Sequence, residues 1–193
     1  AMSDAAKMGV MVKGAKYFES FAKADTIVFD KTGTLTEAQP RLACVLTTDG
    51  WSEDEILRLS ACLEEHFPHP VARAVVNAAR ERGLEHRERH AAVEYIVAHG
   101  IASSIEGRRA IIGSAHFVFE DEGAQLESDI KEQIESQMQG LSPLYLAVDG
   151  TVVGVLGIED PLKSGVREAI ADLHALGVKH VVMLTGDSER TAE

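Results

Sequence analysis

The chain has 193 residues, of which 45% are hydrophobic and 26% charged, and its formal net charge is −12 at pH 7. This composition predicts a soluble globular protein of one large or two small domains, and the acidity argues against nucleic acid or an anionic membrane as a partner. The two cysteines, Cys44 and Cys62, have neither metal-ligand spacing nor a disulfide pattern, and no apolar run approaches the roughly 18 to 20 residues that cross a bilayer.

The first half of the chain begins with short apolar runs and continues with two capped helices. Strands are predicted at 26–29 and 41–48. A helix is predicted from Ser52, because Glu55 completes a capping box and the following apolar residues recur with a helical period. The next helix is predicted to begin at Pro70 and to end at Gly83, since proline suits the first helical turn and glycine the C-terminus.

The second half alternates between strand and helix signals. A small antiparallel set is predicted from strands at 93–98, 101–106 and 108–113. A loose helix is predicted at 123–140, and a hairpin at 144–158 turns at Asp149-Gly150. A helix over 163–177 and a buried strand at 179–187 complete the elements.

This order of elements predicts an α/β protein in which one domain is inserted into another. The first and last segments, 1–37 and 158–193, have the character of a parallel α/β sheet, whereas 38–157 has antiparallel character. We expect the chain to cross between the domains near Glu37–Pro40 and Glu159–Pro161, where proline and charge interrupt the apolar runs.

Asp30 follows the first apolar strand directly and is followed by hydroxyl residues and a glycine. Ligands of parallel sheets lie beyond the carboxyl ends of the strands, and Thr185 follows another predicted strand. An ionised aspartate there can attack phosphorus, backbone N–H groups around Gly33 can cradle phosphate oxygens, and Mg²⁺ can bridge the two anions. A lone aspartate at a strand end is more often a turn or a helix cap, so the surrounding motif decides between the two interpretations.

The heptad DKTGTLT (30–36) resembles the phosphorylation signature of P-type ATPases, and MLTGD (183–187) resembles their second signature. The resemblance implies a haloacid-dehalogenase-like phosphorylation domain, incomplete in this chain, with an inserted α+β nucleotide-binding domain built on an antiparallel sheet. It implies that Asp30 accepts the phosphoryl group and that Asp30 and the carbonyl of Thr32 hold Mg²⁺. The other implied catalytic residues are Lys31, Thr185, Gly186 and Asp187.

The dipeptide His69-Pro70 marks a second candidate site. Proline holds His69 in an extended conformation at the N-terminal edge of a helix, where free N–H groups and partial positive charge suit a nucleotide. The alternative is a histidine that only caps the helix. A His-Pro pair opening a helix resembles the nucleotide-binding domain of heavy-metal-transporting P-type ATPases. That resemblance implies an ATP site with Glu64, His69, Gly100 and Gly113.

Several positions depart from the family pattern or have no counterpart in the chain. Ala98 replaces a glycine and Ser114 an asparagine that contact adenine in the family. The family also has a lysine and a Gly-Asp-Gly-x-Asn-Asp segment after the second signature, which the sequence does not contain. We therefore expect this 193-residue chain to be a C-terminally truncated piece that binds ATP or ADP but phosphorylates itself poorly or not at all.

The resemblance also implies a setting and partners. The parent is expected to be an integral membrane transporter with this portion at its cytoplasmic face, beside transmembrane and actuator domains of the same polypeptide. The transported metal cation is expected to bind elsewhere. Two alternatives remain, a soluble haloacid-dehalogenase-like phosphatase and a noncatalytic nucleotide-binding module. Thr32 weighs against the phosphatase, because related phosphatases place an acid/base aspartate two residues after the nucleophile.

Overall fold

The computed structural model describes residues 2–84, 94–96, 100–105, 107–126 and 128–184, whose regular elements include eight strands and six α-helices. The strands are β1 (Thr26–Asp30), β2 (Arg41–Thr47), β3 (Glu94–Ile96), β4 (Gly100–Ile105), β5 (Arg108–Gly113), β6 (Ser142–Val148), β7 (Thr151–Glu159) and β8 (His180–Leu184). The helices are α1 (Met2–Lys7), α2 (Ala15–Ala22), α3 (Glu53–Glu64), α4 (Pro70–Glu81), α5 (Ser128–Gln137) and α6 (Val166–Ala175).

β1 and β8 form a parallel two-stranded sheet from opposite ends of the chain. Thr26 pairs with His180 and Asp30 with Leu184, so the carboxyl ends of both strands lie at one edge. Exposed and half-buried residues alternate along each strand. Val28 and Val182 are paired and both exposed on one face of this sheet.

The other six strands form an antiparallel sheet in the order β2-β7-β6-β5-β4-β3. Side chains alternate between two buried clusters, as Ile111 and Ile112 show by belonging to different clusters. One cluster includes residues of α3 and α4, such as Ile56 and Val75. The other includes Phe117 and residues of α5. Helices therefore cover both faces of this sheet, and the predicted α/β class with a separate antiparallel sheet is confirmed.

The strongest local signals act as the sequence predicts. Ser52 and Glu55 form the reciprocal capping box that starts α3, and Pro70 is the first residue of α4. Asp149 and Gly150 have φ angles of 49° and 80°, as a type I′ turn between β6 and β7 requires.

The segment 123–140 differs from its prediction. Only Ser128–Gln137 is helical, because Gln125 forms a bridge to Thr151, and its N–H donates to the Gly150 carbonyl. The predicted strand at 93–98 is described only at Glu94–Ile96, and residues 185–187 of the last predicted strand lie outside the described residues. Among the described helices, none is long and apolar enough to cross a bilayer.

Candidate functional site

Asp30 lies at the carboxyl end of β1 with its side chain exposed, level with Leu184 at the end of β8. The chain then turns through residues 31–35, where Gly33 has a φ of 78°, a left-handed conformation that favours glycine. The carboxylate is therefore at the sheet edge where ligands of parallel sheets bind. The predicted partners Thr185, Gly186 and Asp187 lie outside the described residues.

A cavity of about 560 Å³ lies between the residues that follow Asp30 and the start of α4. Lys31 and Thr32 line one wall, and His69 and Pro70 line another. Asp160 and Ser142 contribute polar groups to the same cavity. The two candidate sites, far apart in sequence, thus face a common space.

A second cavity of about 480 Å³ brings together all four residues predicted to bind the nucleotide, which are Glu64, His69, Gly100 and Gly113. His69 and Val71 line both cavities, so the two spaces adjoin at the N-terminus of α4. Phe67 also lines the second cavity. The sequence analysis missed this residue, although an aromatic side chain two positions before His69 was a usable signal for a base-stacking wall.

His69 caps α4 as well as lining the cavities. Its Nδ1 accepts a hydrogen bond from the N–H of Val71 at 3.3 Å. In a neutral imidazole the proton must then be on Nε2, so the exposed ring nitrogen is a donor. The capping interpretation and the binding interpretation are therefore compatible, because one nitrogen serves the helix and the other remains for a ligand.

Glu64 is a buried carboxyl group on the cavity wall. It is only 7% exposed, and burial raises its pKa to about 7 by disfavouring the charged form. A protonated carboxyl offers one donor and one acceptor, which can pair with the edge of a nucleobase as an amide does. Glu64 thus gives an otherwise largely apolar cavity a polar group that can set the orientation of a ligand.

Gly100 is required by packing within this wall. A Cβ added there would lie 2.2 Å from Cδ1 of Phe117 and 2.6 Å from the carbonyl oxygen of Ile112. Ser114, which the family resemblance contrasts with asparagine, accepts a hydrogen bond from the N–H of Phe117 at 3.3 Å. The other departure, Ala98, lies outside the described residues.

The chain passes twice between the two sheets, first near residues 36–41 and again near residues 159–162, and these two connecting segments contact each other. Thr36 and Leu162 form an antiparallel bridge, and the N–H of Glu37 donates to the carbonyl of Pro161 at 2.9 Å. Asp160 accepts hydrogen bonds from the hydroxyl of Thr36 and from the N–H of Gln39. The Arg41–Glu159 ion pair lies at the start of β2 and the end of β7.

Oxygen donors near Asp30 are of the kind that Mg²⁺ prefers. The Asp30 carboxylate and the Thr32 carbonyl are close in sequence at an exposed strand end, and hard oxygen ligands suit this ion. Among the residues that the structure describes, no group of three or more histidine, cysteine or acidic side chains could hold a metal. These two oxygens fit a Mg²⁺ ion that takes its remaining ligands from water and phosphate, as it commonly does.

Comparison with known proteins defines the class. Residues 24–193 match the family model described as haloacid dehalogenase-like hydrolase, and the chain belongs to that family. Proteins similar to the chain include P-type ATPases named as exporters of copper, silver and zinc. The chain is 40% identical over 188 residues to a copper-exporting P-type ATPase of Legionella pneumophila, covering 97% of this chain and 25% of that protein.

Solved structures that match the chain are also P-type ATPases or their domains. A zinc-transporting PIB-type ATPase in its E2·Pi state matches with a TM-score of 0.71 and 31% identity, covering 99% of this chain and 30% of that one. The N-domain of HMA6, a copper-transporting P-type ATPase, matches with a TM-score of 0.50 and 27% identity over 63% of this chain and 99% of that one. The predicted family resemblance is confirmed, and the chain spans about a quarter of the length of the curated relative.

Proposed function

We propose that this chain is the ATP-binding and phosphorylation portion of a metal-cation-transporting P-type ATPase. The observation that carries the proposal is the pair of adjoining cavities. One contains Glu64 and the other contains Lys31 and Thr32, and His69 lines both. A nucleotide base held beside Glu64 would direct its phosphates past His69 toward the strand end that carries Asp30.

The proposed reaction is an in-line phosphoryl transfer. A carboxylate oxygen of Asp30 attacks the γ-phosphorus of ATP, the bond from that phosphorus to the β–γ bridging oxygen breaks, and ADP leaves with the electron pair. Mg²⁺ held by Asp30 and the Thr32 carbonyl would neutralise charge on the phosphate oxygens. The exposure of Asp30 keeps its carboxylate accessible to the incoming phosphate.

His69 and Glu64 have separate roles in this proposal. The Nε2–H of His69 donates a hydrogen bond to the nucleotide, because Nδ1 is occupied by Val71. Glu64 pairs with the base through its protonated carboxyl group, which the buried cavity favours near neutral pH. Pro70 keeps the His69 backbone extended, so the ring stays at the mouth of both cavities.

Two other functions fit less well. A soluble phosphatase needs a general acid/base beside the phosphoaspartate, and the loop offers Thr32 there. A noncatalytic nucleotide-binding module would need only the second cavity, and it leaves the exposed Asp30 and its motif without a role. Within the proposed transporter, the chain would lie at the cytoplasmic face of the membrane, in contact with transmembrane and actuator domains of the same polypeptide, and the transported metal cation would bind elsewhere.

Nucleotide binding can be tested on the 193-residue chain by isothermal titration with ATP and ADP. We expect His69→Ala to weaken binding about tenfold, as the loss of one good hydrogen bond or stacking contact does. The matched control is His116→Ala, since His116 is also exposed but lines neither cavity. Equal losses in both variants, or no binding by the unmodified chain, would contradict the proposed site.

Phosphorylation is tested in the longer transporter with labelled ATP. We expect a phosphoenzyme that hydroxylamine cleaves, and we expect Asp30→Asn to abolish it because the amide is not a nucleophile toward phosphorus. The control is Asp25→Asn, an exposed aspartate just before β1. A hydroxylamine-sensitive phosphoenzyme in Asp30→Asn would show that another residue is the nucleophile.

A further inference from the structure

Gly33 lies in the loop after Asp30, and both of its backbone polar groups are connected to the segment between β7 and α6, called here the second crossing. Its N–H donates to the hydroxyl oxygen of Thr36 at 3.1 Å, and that hydroxyl donates to the Asp160 carboxylate at 2.5 Å. On the other side, Nζ of Lys163 donates to the carbonyl oxygen of Gly33 at 2.5 Å. The carbonyl of Gly33 thus contacts Lys163, 130 positions away, and its N–H is connected through Thr36 to Asp160, which lies 124 positions from Thr36.

Thr36 is buried and its backbone is hydrogen-bonded, which fixes its hydroxyl group next to Gly33. Thr36 is only 1% exposed, so its hydroxyl cannot turn to solvent and must use partners within the protein. Its backbone is fixed as well, by the bridge to Leu162 and by a hydrogen bond from its N–H to the carbonyl of Lys31 at 3.2 Å. The N–H of Lys163 donates to the carbonyl of Leu35 at 2.9 Å, so the loop is secured along its length.

Gly33 is the residue at which the loop direction is set. Its φ of 78° turns the chain sharply after Thr32, and the flanking peptide groups are the ones that would face phosphate oxygens. A small rotation at Gly33 would redirect those groups. A displacement of a reacting group by about 1 Å is enough to lower a rate about a hundredfold. Contacts that fix Gly33 therefore control how the loop meets a phosphate.

We propose that Thr36 and Lys163 are positioning residues for phosphoryl transfer, acting through Gly33. The second crossing, which connects the antiparallel sheet to α6, thereby couples the arrangement of the inserted unit to the geometry of the Asp30 loop. This inference rests on the proposed function. The amine of Lys163 takes part directly, because it contacts the carbonyl oxygen of Gly33 in the loop after Asp30.

The contacts are tested first on the 193-residue chain, by amide hydrogen exchange of Gly33 measured with NMR. Thr36→Val removes the acceptor at nearly constant volume, and we expect Gly33 exchange to rise about tenfold. Thr36→Ser keeps the hydroxyl and should leave exchange within about threefold of the parent chain. Unchanged exchange in Thr36→Val would overturn the proposal, with strand β7 amides serving as the internal reference for intact folding.

Lys163→Met provides a second variant that does not disturb a buried site, because Lys163 is exposed. In the longer transporter we expect Thr36→Val and Lys163→Met to lower the rate of phosphoenzyme formation at least tenfold, with the ATP dissociation constant unchanged and with rescue by Thr36→Ser. If Asp30→Asn abolishes the phosphoenzyme while both variants react at the parent rate, the positioning role is refuted and the proposed function stands. If Asp30→Asn retains the phosphoenzyme, the proposed function itself fails.

Discussion

Glu64→Gln tests the physical account of the candidate nucleotide cavity without any ligand. The carboxyl group is buried, and its pKa is raised from a usual value of 4.5 to about 7 by burial alone. Glutamine has nearly the same shape and is neutral at every pH. The substitution therefore removes the cost of ionising a buried group and leaves the packing of the cavity wall in place.

The sign of the effect follows from proton linkage. Between pH 4.5 and about 7 the unfolded chain loses the Glu64 proton while the folded chain keeps it, so folding stability falls as pH rises through this window. A shift of this size corresponds to about 3 kcal/mol, at about 1.4 kcal/mol per pKa unit. We expect Glu64→Gln to match the parent chain near pH 4.5 and to exceed its stability by up to about 3 kcal/mol above pH 7.

Urea unfolding followed by circular dichroism, at several pH values from 4.5 to 8, measures this difference. The control is Glu81→Gln, because Glu81 is an exposed glutamate at the end of neighbouring α4, so the same substitution is made there without altering the cavity wall. A constant difference between Glu64→Gln and the parent across the pH range would refute the reasoning. It would mean that the pKa of Glu64 is the same in the folded and the unfolded chain, so that a compensating partner offsets its burial.

Three further predictions concern stability and autonomy of folding. Gly100→Ala should lower the free energy of unfolding by about 1–3 kcal/mol in urea titrations, because the new methyl group would meet the Phe117 ring and the backbone oxygen of Ile112; an unchanged midpoint would contradict this. Ser52→Ala should cost about 1 kcal/mol by the same assay, since it breaks the capping box of α3, whereas Ser52→Asp should restore most of it. Residues 38–160 alone should unfold cooperatively and keep the parent affinity for ATP, because every buried apolar residue described lies between Val45 and Ile158. A non-cooperative transition would show that the fold needs the flanking segments.

Local signals in the sequence determined the elements and the class of chemistry. The capping box at Ser52, the proline at the start of α4 and the Asp149-Gly150 turn each act over a few residues, so their outcome does not depend on the rest of the fold. The position of Asp30 likewise depends only on the preceding apolar run forming a strand that ends there. The helix predicted at 123–140 was too long because a distant partner, Thr151, engages Gln125.

Only the tertiary structure decided which separate segments meet. The parallel pairing of β1 with β8, the meeting of Glu64 with Gly100 and Gly113, and the contact of Lys163 with Gly33 all join residues far apart in the chain. The raised pKa of Glu64 belongs to the same group, because it depends on the depth of burial. Sequence patterns report what each segment prefers, whereas burial, cavities and long-range hydrogen bonds arise from the packing of several segments at once.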